Sequence, residues 1–170
     1  MFTDLVSFSE WALQAGDEQV LQLLHDVGAA SDKAITDRGG TVVKSLGDGV
    51  MAVFDDTAEA VAAADAADTA VSAVTCGDYR PQLRVGLHRG TPQRVRDDYL
   101  GVDVNIAARV ADAAAGGEIL ISDAALAELD TDRYRVRRRR RFRAKGTPSD
   151  LAVYSIVPRH TTPPAGGTFI

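Results

Sequence analysis

Two apolar runs, residues 41–46 and 50–54, are separated only by Gly47-Asp48-Gly49, and this spacing constrains the fold more than any other feature. So short and glycine-flanked a connection closes two strands into a hairpin, which makes a sheet obligatory. On either side of the hairpin the apolar period changes. Upstream, Val20, Leu21, Leu23, Leu24, Val27, Ala30, Ala34 and Ile35 recur at helical spacing from Asp17 until Gly39-Gly40 ends them. Downstream, the alanine-rich residues 58–74 read as a second helix whose small side chains suit close packing on a sheet. Helix, hairpin, helix and then more strands predict an α+β sheet with the helices on one face.

The remaining punctuation fills in this outline. Residues 1–6 read as a strand entering a turn at 7–9, and residues 83–88 alternate like a half-buried strand that stops at Gly90. A loop containing Pro92 leads to Asp98. Gly101 opens a helix that Gly116-Gly117 closes, and 118–121 is a strand. Ser122 is placed to cap a short helix over 123–129. Residues 134–143 and 151–157 read as antiparallel strands across Gly146-Thr147-Pro148. The tail from 158 to 170, rich in threonine, proline and glycine, is predicted to be unstructured.

At 170 residues the chain is one domain, long enough to bury roughly 70% of its unfolded surface. A single cysteine, Cys76, excludes an internal disulfide framework and suits a reducing, cytoplasmic setting. No apolar run reaches the roughly 18 residues of a membrane span, and no secretory leader pattern is present. Charge is divided unevenly along the chain. Residues 1–130 carry 9 Lys+Arg against 22 Asp+Glu, a balance of −13, and residues 131–170 carry 10 against 2, a balance of +8. Arg133, Arg135, Arg137 to Arg141 and Arg143 supply most of the positive end. Such a run attracts nucleic acid or other polyanions, but it is more often a solvated strand, and with no interleaved aromatics beyond Tyr134 and Phe142 the solvated reading is preferred over nucleic acid.

Chemistry concentrates in residues 98–109 and in Lys44-Ser45-Leu46-Gly47-Asp48. Asn105 and Arg109, four apart, place an amide and a guanidinium on one helix face. Asp4 and Asp48, a strand-end and a hairpin-turn carboxylate, converge if their strands are neighbours. Paired carboxylates with open water positions suit Mg²⁺ bound together with substrate phosphates. A glycine-rich phosphate loop of the G-x-x-x-x-G-K-[ST] type is absent. Cation, amide and separated acids together point to a metal–nucleotide site.

Taken in order, residues 2–9, Lys44 to Asp48, residues 84–90, residues 98–109, Lys145-Gly146 and Val153-Tyr154 resemble the class III adenylate and guanylate cyclase catalytic domain. The resemblance spans about residues 1–157. It implies a mixed, mainly antiparallel sheet with helices packed on it, a ferredoxin-like βαββαβ core plus C-terminal strands. It also implies that Asp4 and Asp48 hold two divalent cations, Mg²⁺ or Mn²⁺, that Arg109 neutralises charge at the α-phosphate, that Asn105 fixes the ribose, and that Lys145 contacts the terminal phosphates. Lys44 and Asp98 would read the base. Adenine offers an acceptor at N1 and a donor at N6, which a lysine and a carboxylate match, so ATP is the expected substrate and cyclic AMP with pyrophosphate the expected products. Because this chain carries both the acids and the Asn–Arg pair, a head-to-tail homodimer with two equivalent sites is expected. The alternative is a catalytically degenerate module for nucleotide sensing or dimerisation.

Two departures from the family pattern carry their own expectations. Ser7 stands where glycine is usual, and a side chain there is expected to be accommodated by a negative φ. Only three residues precede Asp4 where the family normally has several more, so a late start or a longer parent protein is expected.

Overall fold

The computed structural model describes residues 1–159. The chain runs β1 (Phe2–Leu5), α1 (Phe8–Ala15), α2 (Asp17–Thr36), β2 (Thr41–Ser45), β3 (Val50–Val53), α3 (Thr57–Ser72) and β4 (Leu83–Leu87). It continues with β5 (Gln93–Val95), β6 (Asp98–Leu100), α4 (Val102–Asp112), β7 (Glu118–Ser122), α5 (Asp123–Leu126), a 3₁₀ turn, β8 (Tyr134–Arg138) and β9 (Val153–Pro158). Seven strands form one sheet in the order β2-β3-β1-β4-β7-β9-β8, antiparallel throughout except for the β4–β7 pair. Its first four members, β2-β3-β1-β4, have the order of a ferredoxin-like βαββαβ unit, and β7, β9 and β8 extend it. The expected tail lies, beyond Arg159, outside the described residues.

Strand alternation assigns the two faces. Leu5, Val50, Ala52, Leu83, Val85, Leu87, Ile119, Ile121 and Ile156 point to the face covered by α2 and α3, where Leu23, Val27, Ile35, Val61 and Val71 meet them. Each large side chain fully withdrawn there contributes about 1.5–3 kcal/mol. The alanines of α3 at 60, 63, 64 and 67 are buried, so its backbone approaches the sheet closely.

The other face is not bare, which corrects the expectation of helices on one side. There α4 packs Ile106 and Val110 against Leu120 and Val153. The reason is visible in β4 and β7, whose residues are almost all buried rather than alternating, as strands covered on both faces must be. Gly86 makes the contact possible, since a Cβ there would lie 2.2 Å from the Ala111 nitrogen.

Two further corrections concern small elements. A short helix, α1, begins at Phe8, inside the expected turn at 7–9, which is confined to residues 6 and 7; none of its residues is buried, and Leu13 is 89% exposed. The expected loop between Pro92 and Asp98 contains a hairpin, β5–β6, turning through Arg96 and Asp97. The arginine-rich strand is shorter than expected. It is ordered as β8 to Arg138 and lies at the sheet edge, with Arg135, Arg137 and Arg138 exposed. Among the described residues no helix is long and apolar enough to cross a membrane.

Candidate active site

The acids come together because a glycine lets two backbones touch. In the β2–β3 turn Gly47 takes φ 82°, and a Cβ on Gly49 would stand 1.9 Å from the Thr3 carbonyl oxygen. Any other residue at 49 would push the hairpin away from β1. The contact is reinforced by Val50 N–H donating to Thr3 Oγ1 at 3.1 Å. Asp48 is thereby carried beside Asp4. Its carboxyl is pushed up from its ordinary value, first by burial and then by the charge of Asp4, while hydrogen bonds from backbone N–H groups, including that of Leu5, pull the other way. Asp4 faces Arg84 across the β1–β4 register, and Arg84 Nε donates to Asp4 Oδ2 at 2.8 Å, with Nη2 bonded to the same oxygen. Both guanidinium bonds use Oδ2.

Two half-buried carboxylates side by side, with Asp48 pushed up, form a set of hard oxygen donors lacking positive charge on one side. That set fits a divalent cation taking one or two carboxylates and completing its sphere with water or phosphate. It does not fit an all-protein cage: no cluster of three or more metal-ligating side chains exists among the described residues.

A second pair forms between β2 and β6. Lys44 Nζ donates to Asp98 Oδ2 at 2.6 Å, and Asp98 Oδ1 accepts from Tyr99 N–H at 2.8 Å. The Lys44 hydrogen bond, seconded by that of Tyr99, holds the Asp98 carboxyl below its usual range. Lys44 lies next to a register shift in β2, between Val42 and Lys44, where the strand changes its alternation.

The third group stands on α4 and the β8–β9 connection. Asn105 Nδ2 donates to Gly146 O at 3.0 Å, next to Lys145. Arg109 Nη1 donates to Asp112 Oδ2 at 2.9 Å. Arg109, Phe142, Arg143 and Lys145 line a common cavity of about 460 Å³. The first turn of α4 is anchored by a chain of bonds. His88 Nδ1 lies 2.8 Å from Ser122 Oγ, His88 Nε2 lies 3.2 Å from Asp103 Oδ1, and Thr91 N–H donates to Asp103 Oδ2 at 2.8 Å. The Asp103 carboxylate can only accept, so His88 Nε2 donates to it, while Nδ1 pairs with Ser122 Oγ, which also accepts from Ala125 N–H.

The structure thus joins Asp4 with Asp48, Lys44 with Asp98, and Asn105 and Arg109 with the Lys145 segment. No hydrogen bond or ion pair among the described residues links these three groups. Ser7 departs from expectation: its φ is 56°, in the left-handed region, so the serine takes the glycine conformation instead of avoiding it. Sequence reasoning gave no role to Arg84, Tyr79 or His88. Arg84 did leave a signal, since an arginine between Leu83 and Val85 in a central strand requires an anion within reach.

Comparison with known proteins agrees with this architecture. The family model described as the adenylate and guanylate cyclase catalytic domain matches residues 1–158. The adenylate cyclase of Streptomyces coelicolor is 33% identical over 128 residues, covering 75% of this chain and 33% of the relative. An uncharacterized Mycobacterium tuberculosis protein is 37% identical over 120 residues, covering 70% and 31%. This chain therefore spans about a third of the length of these relatives. Among solved structures, the catalytic core of a rhodopsin-guanylyl cyclase with converted specificity superposes with a TM-score of 0.82 at 21% identity, covering 93% of each chain. The adenylyl cyclase CyaB of P. aeruginosa superposes at 0.75 and 24% identity, covering 94% of this chain and 93% of CyaB. With the family model running from the first strand to the last and the same fold in these cyclases, the chain belongs to the adenylate and guanylate cyclase catalytic domain family.

Proposed function

We propose that this domain is an adenylate cyclase, converting ATP to 3′,5′-cyclic AMP and pyrophosphate at sites shared between two copies of the chain. The observation that carries the choice of ATP is the Lys44–Asp98 pair, a donor and an acceptor 2.6 Å apart and both reachable from solvent. Lys44 donates to adenine N1 and Asp98 accepts from N6. Guanine, with a donor at N1 and an acceptor at O6, would leave both mismatched. The adenylate cyclases of Streptomyces coelicolor and Streptomyces griseus, 33% and 30% identical, favour the same substrate.

In the reaction the ribose 3′-oxygen forms a bond to the α-phosphorus, the bond from that phosphorus to the bridging oxygen breaks, and pyrophosphate leaves in line with the incoming oxygen. Asp4 and Asp48 would hold the divalent cations, Mg²⁺ or Mn²⁺. Once bound, these lower the pKa of the 3′-hydroxyl and offset phosphate charge. Arg109 exchanges Asp112 for the α-phosphate and neutralises the charge that grows there. Asn105 orients the ribose, and Lys145 meets the terminal phosphates. Arg84 fixes the Asp4 carboxylate and adds a cation beside the phosphate path.

The three groups are separate within one chain, which supports the homodimer: the acids of one copy would face α4 of another. The test is purified protein incubated with Mn²⁺ and either ATP or GTP. Cyclic AMP from ATP, abolished by Asp48→Asn, is the expected result. Cyclic GMP as the main product would overturn the base assignment, and no cyclic nucleotide from either would overturn the activity.

A further inference from the structure

The β1–α1 turn, residues 5–8, is the part of the acid site whose shape its own sequence does not explain. Ser7 holds a left-handed φ of 56° without being glycine, and its side chain caps nothing. L residues adopt that region only at a cost, so an outside contact must hold it. The contact comes from the connection between α3 and β4. Tyr79 Oη donates to the Val6 carbonyl at 2.7 Å, and Val6 N–H donates to Gln82 O at 3.0 Å. The Tyr79 ring stacks on Trp11 with centroids 4.8 Å apart and planes 19° from parallel, while the backbone N–H of Trp11 donates to Ser7 O at 3.2 Å in the first turn of α1. On the other side of the turn, Leu5 directly follows Asp4 in β1, and its backbone N–H is among the groups that pull the Asp48 carboxyl down. Val6, two residues after Asp4, is therefore gripped on both backbone groups by the α3–β4 connection, and Ser7 by the first turn of α1.

We infer that Tyr79 is a positioning residue for the acid pair: its hydroxyl on Val6 and its ring on Trp11 hold the left-handed turn that directly follows Asp4, and so keep the Asp4 carboxylate beside Asp48. Tyr79 has no place among the groups that would touch substrate. It acts through the backbone it grips. Burial and the charges of Asp48 and Asp4 push the Tyr79 hydroxyl above its ordinary range, which keeps it a donor and locates it in the field of the acids. The inference rests on the cyclase reading for its catalytic consequence but not for its structural one.

The rival account is that Tyr79 merely fills the edge of the core. Tyr79→Phe separates the two, because it retains the ring and removes one hydrogen bond. Core filling predicts no change. Positioning predicts kcat reduced roughly 5–20-fold with the KM for ATP within about twofold, since the acids act in the transition state. It also predicts a higher metal concentration for half-maximal rate. In protein free of metal and nucleotide, hydrogen exchange of residues 5–11 should speed up by about tenfold while α4 and β7 stay unchanged. Ser7→Gly in the Tyr79→Phe background should recover most of both losses, because glycine takes the left-handed conformation without help. Unchanged exchange in Tyr79→Phe, or a loss of activity that Ser7→Gly leaves in place, would overturn the inference. Should the wild-type protein make no cyclic nucleotide, the cyclase reading fails, and the exchange measurement alone still decides whether the clamp exists.

Discussion

The acid end of the molecule and the α4 side solve opposite problems. At the acid end, the close approach of Gly49 to Thr3 forces two carboxylates together, and Asp48 is pushed up by its burial and then by the charge of Asp4. On the α4 side every catalytic candidate with a hydrogen bond has a compatible one: Asn105 has Gly146 O and Arg109 has Asp112. One region stores repulsion that a cation would relieve. The other is satisfied and must give up a partner to bind a nucleotide. Stability and activity should therefore respond to mutation with opposite signs at the two places.

The largest effect expected is at the stressed end. Asp48→Asn should cut cyclic AMP production by at least about 100-fold, the scale of losing a preorganised charge from a transition-state site. The same change should stabilise the metal-free fold by about 1–3 °C in Tm, because it removes the repulsion. The pH dependence has a definite sign. Asp48 titrates higher folded than unfolded, so its ionisation costs stability above the raised value, and that cost disappears as pH falls through the ordinary carboxylate range. The Tm gap between variant and wild type should accordingly be widest near neutrality and close in acid. A variant that is both inactive and less stable at pH 7 would break the contrast.

Mixing tests whether the two regions meet only across copies. Asp4→Ala and Arg109→Ala should each be inactive alone, and after free subunit exchange at equal amounts about a quarter of wild-type activity should return. Verified exchange without any recovery would place both regions in one self-contained site. A smaller change is expected for the base pair. Lys44→Glu with Asp98→Cys should move the ATP:GTP preference toward GTP by about tenfold or more, with total activity falling. The smallest effect belongs to the satisfied side: Asp112→Ala releases Arg109 from an exposed ion pair and should lower the KM for ATP by about twofold with kcat nearly unchanged.

What the sequence disclosed follows the same division. The hairpin was legible because Gly47 and Gly49 mark it, α2 because its apolar residues recur over many turns, α3 because of its alanine-rich run, and α4 because glycines bracket it. By contrast, α1 hid because an eight-residue helix with no buried residue leaves no periodic stripe, and its start depends on a serine in a glycine conformation. The β5–β6 hairpin hid for a related reason. Its strands are three residues each, and its turn places Arg96 at φ 59° with no Asn-Gly or Asp-Gly to announce it. Cover on both faces shows in the nearly continuous burial of β4 and β7, whereas the alternation of residues 83–88 suggested one wet side. The site residues were nameable one by one. Their partners, Arg84 for Asp4 and His88 for Asp103, required the sheet register.

That register also makes β4 a ruler. Residues 84, 86 and 88 succeed one another on the same side, at about 6.6 Å per step. The first grips Asp4, the second lies directly under Ala111, and the third, just past the strand end, binds the first turn of α4. The spacing from the acid to the helix carrying Asn105 and Arg109 is thus counted out in whole residues along one backbone, with no side chain at Gly86 to compress. Within a single copy that distance has no adjustable part. Opening and closing over a nucleotide would then fall to the angle between two copies, so a regulator could govern such a domain by rotating rigid partners without deforming either one.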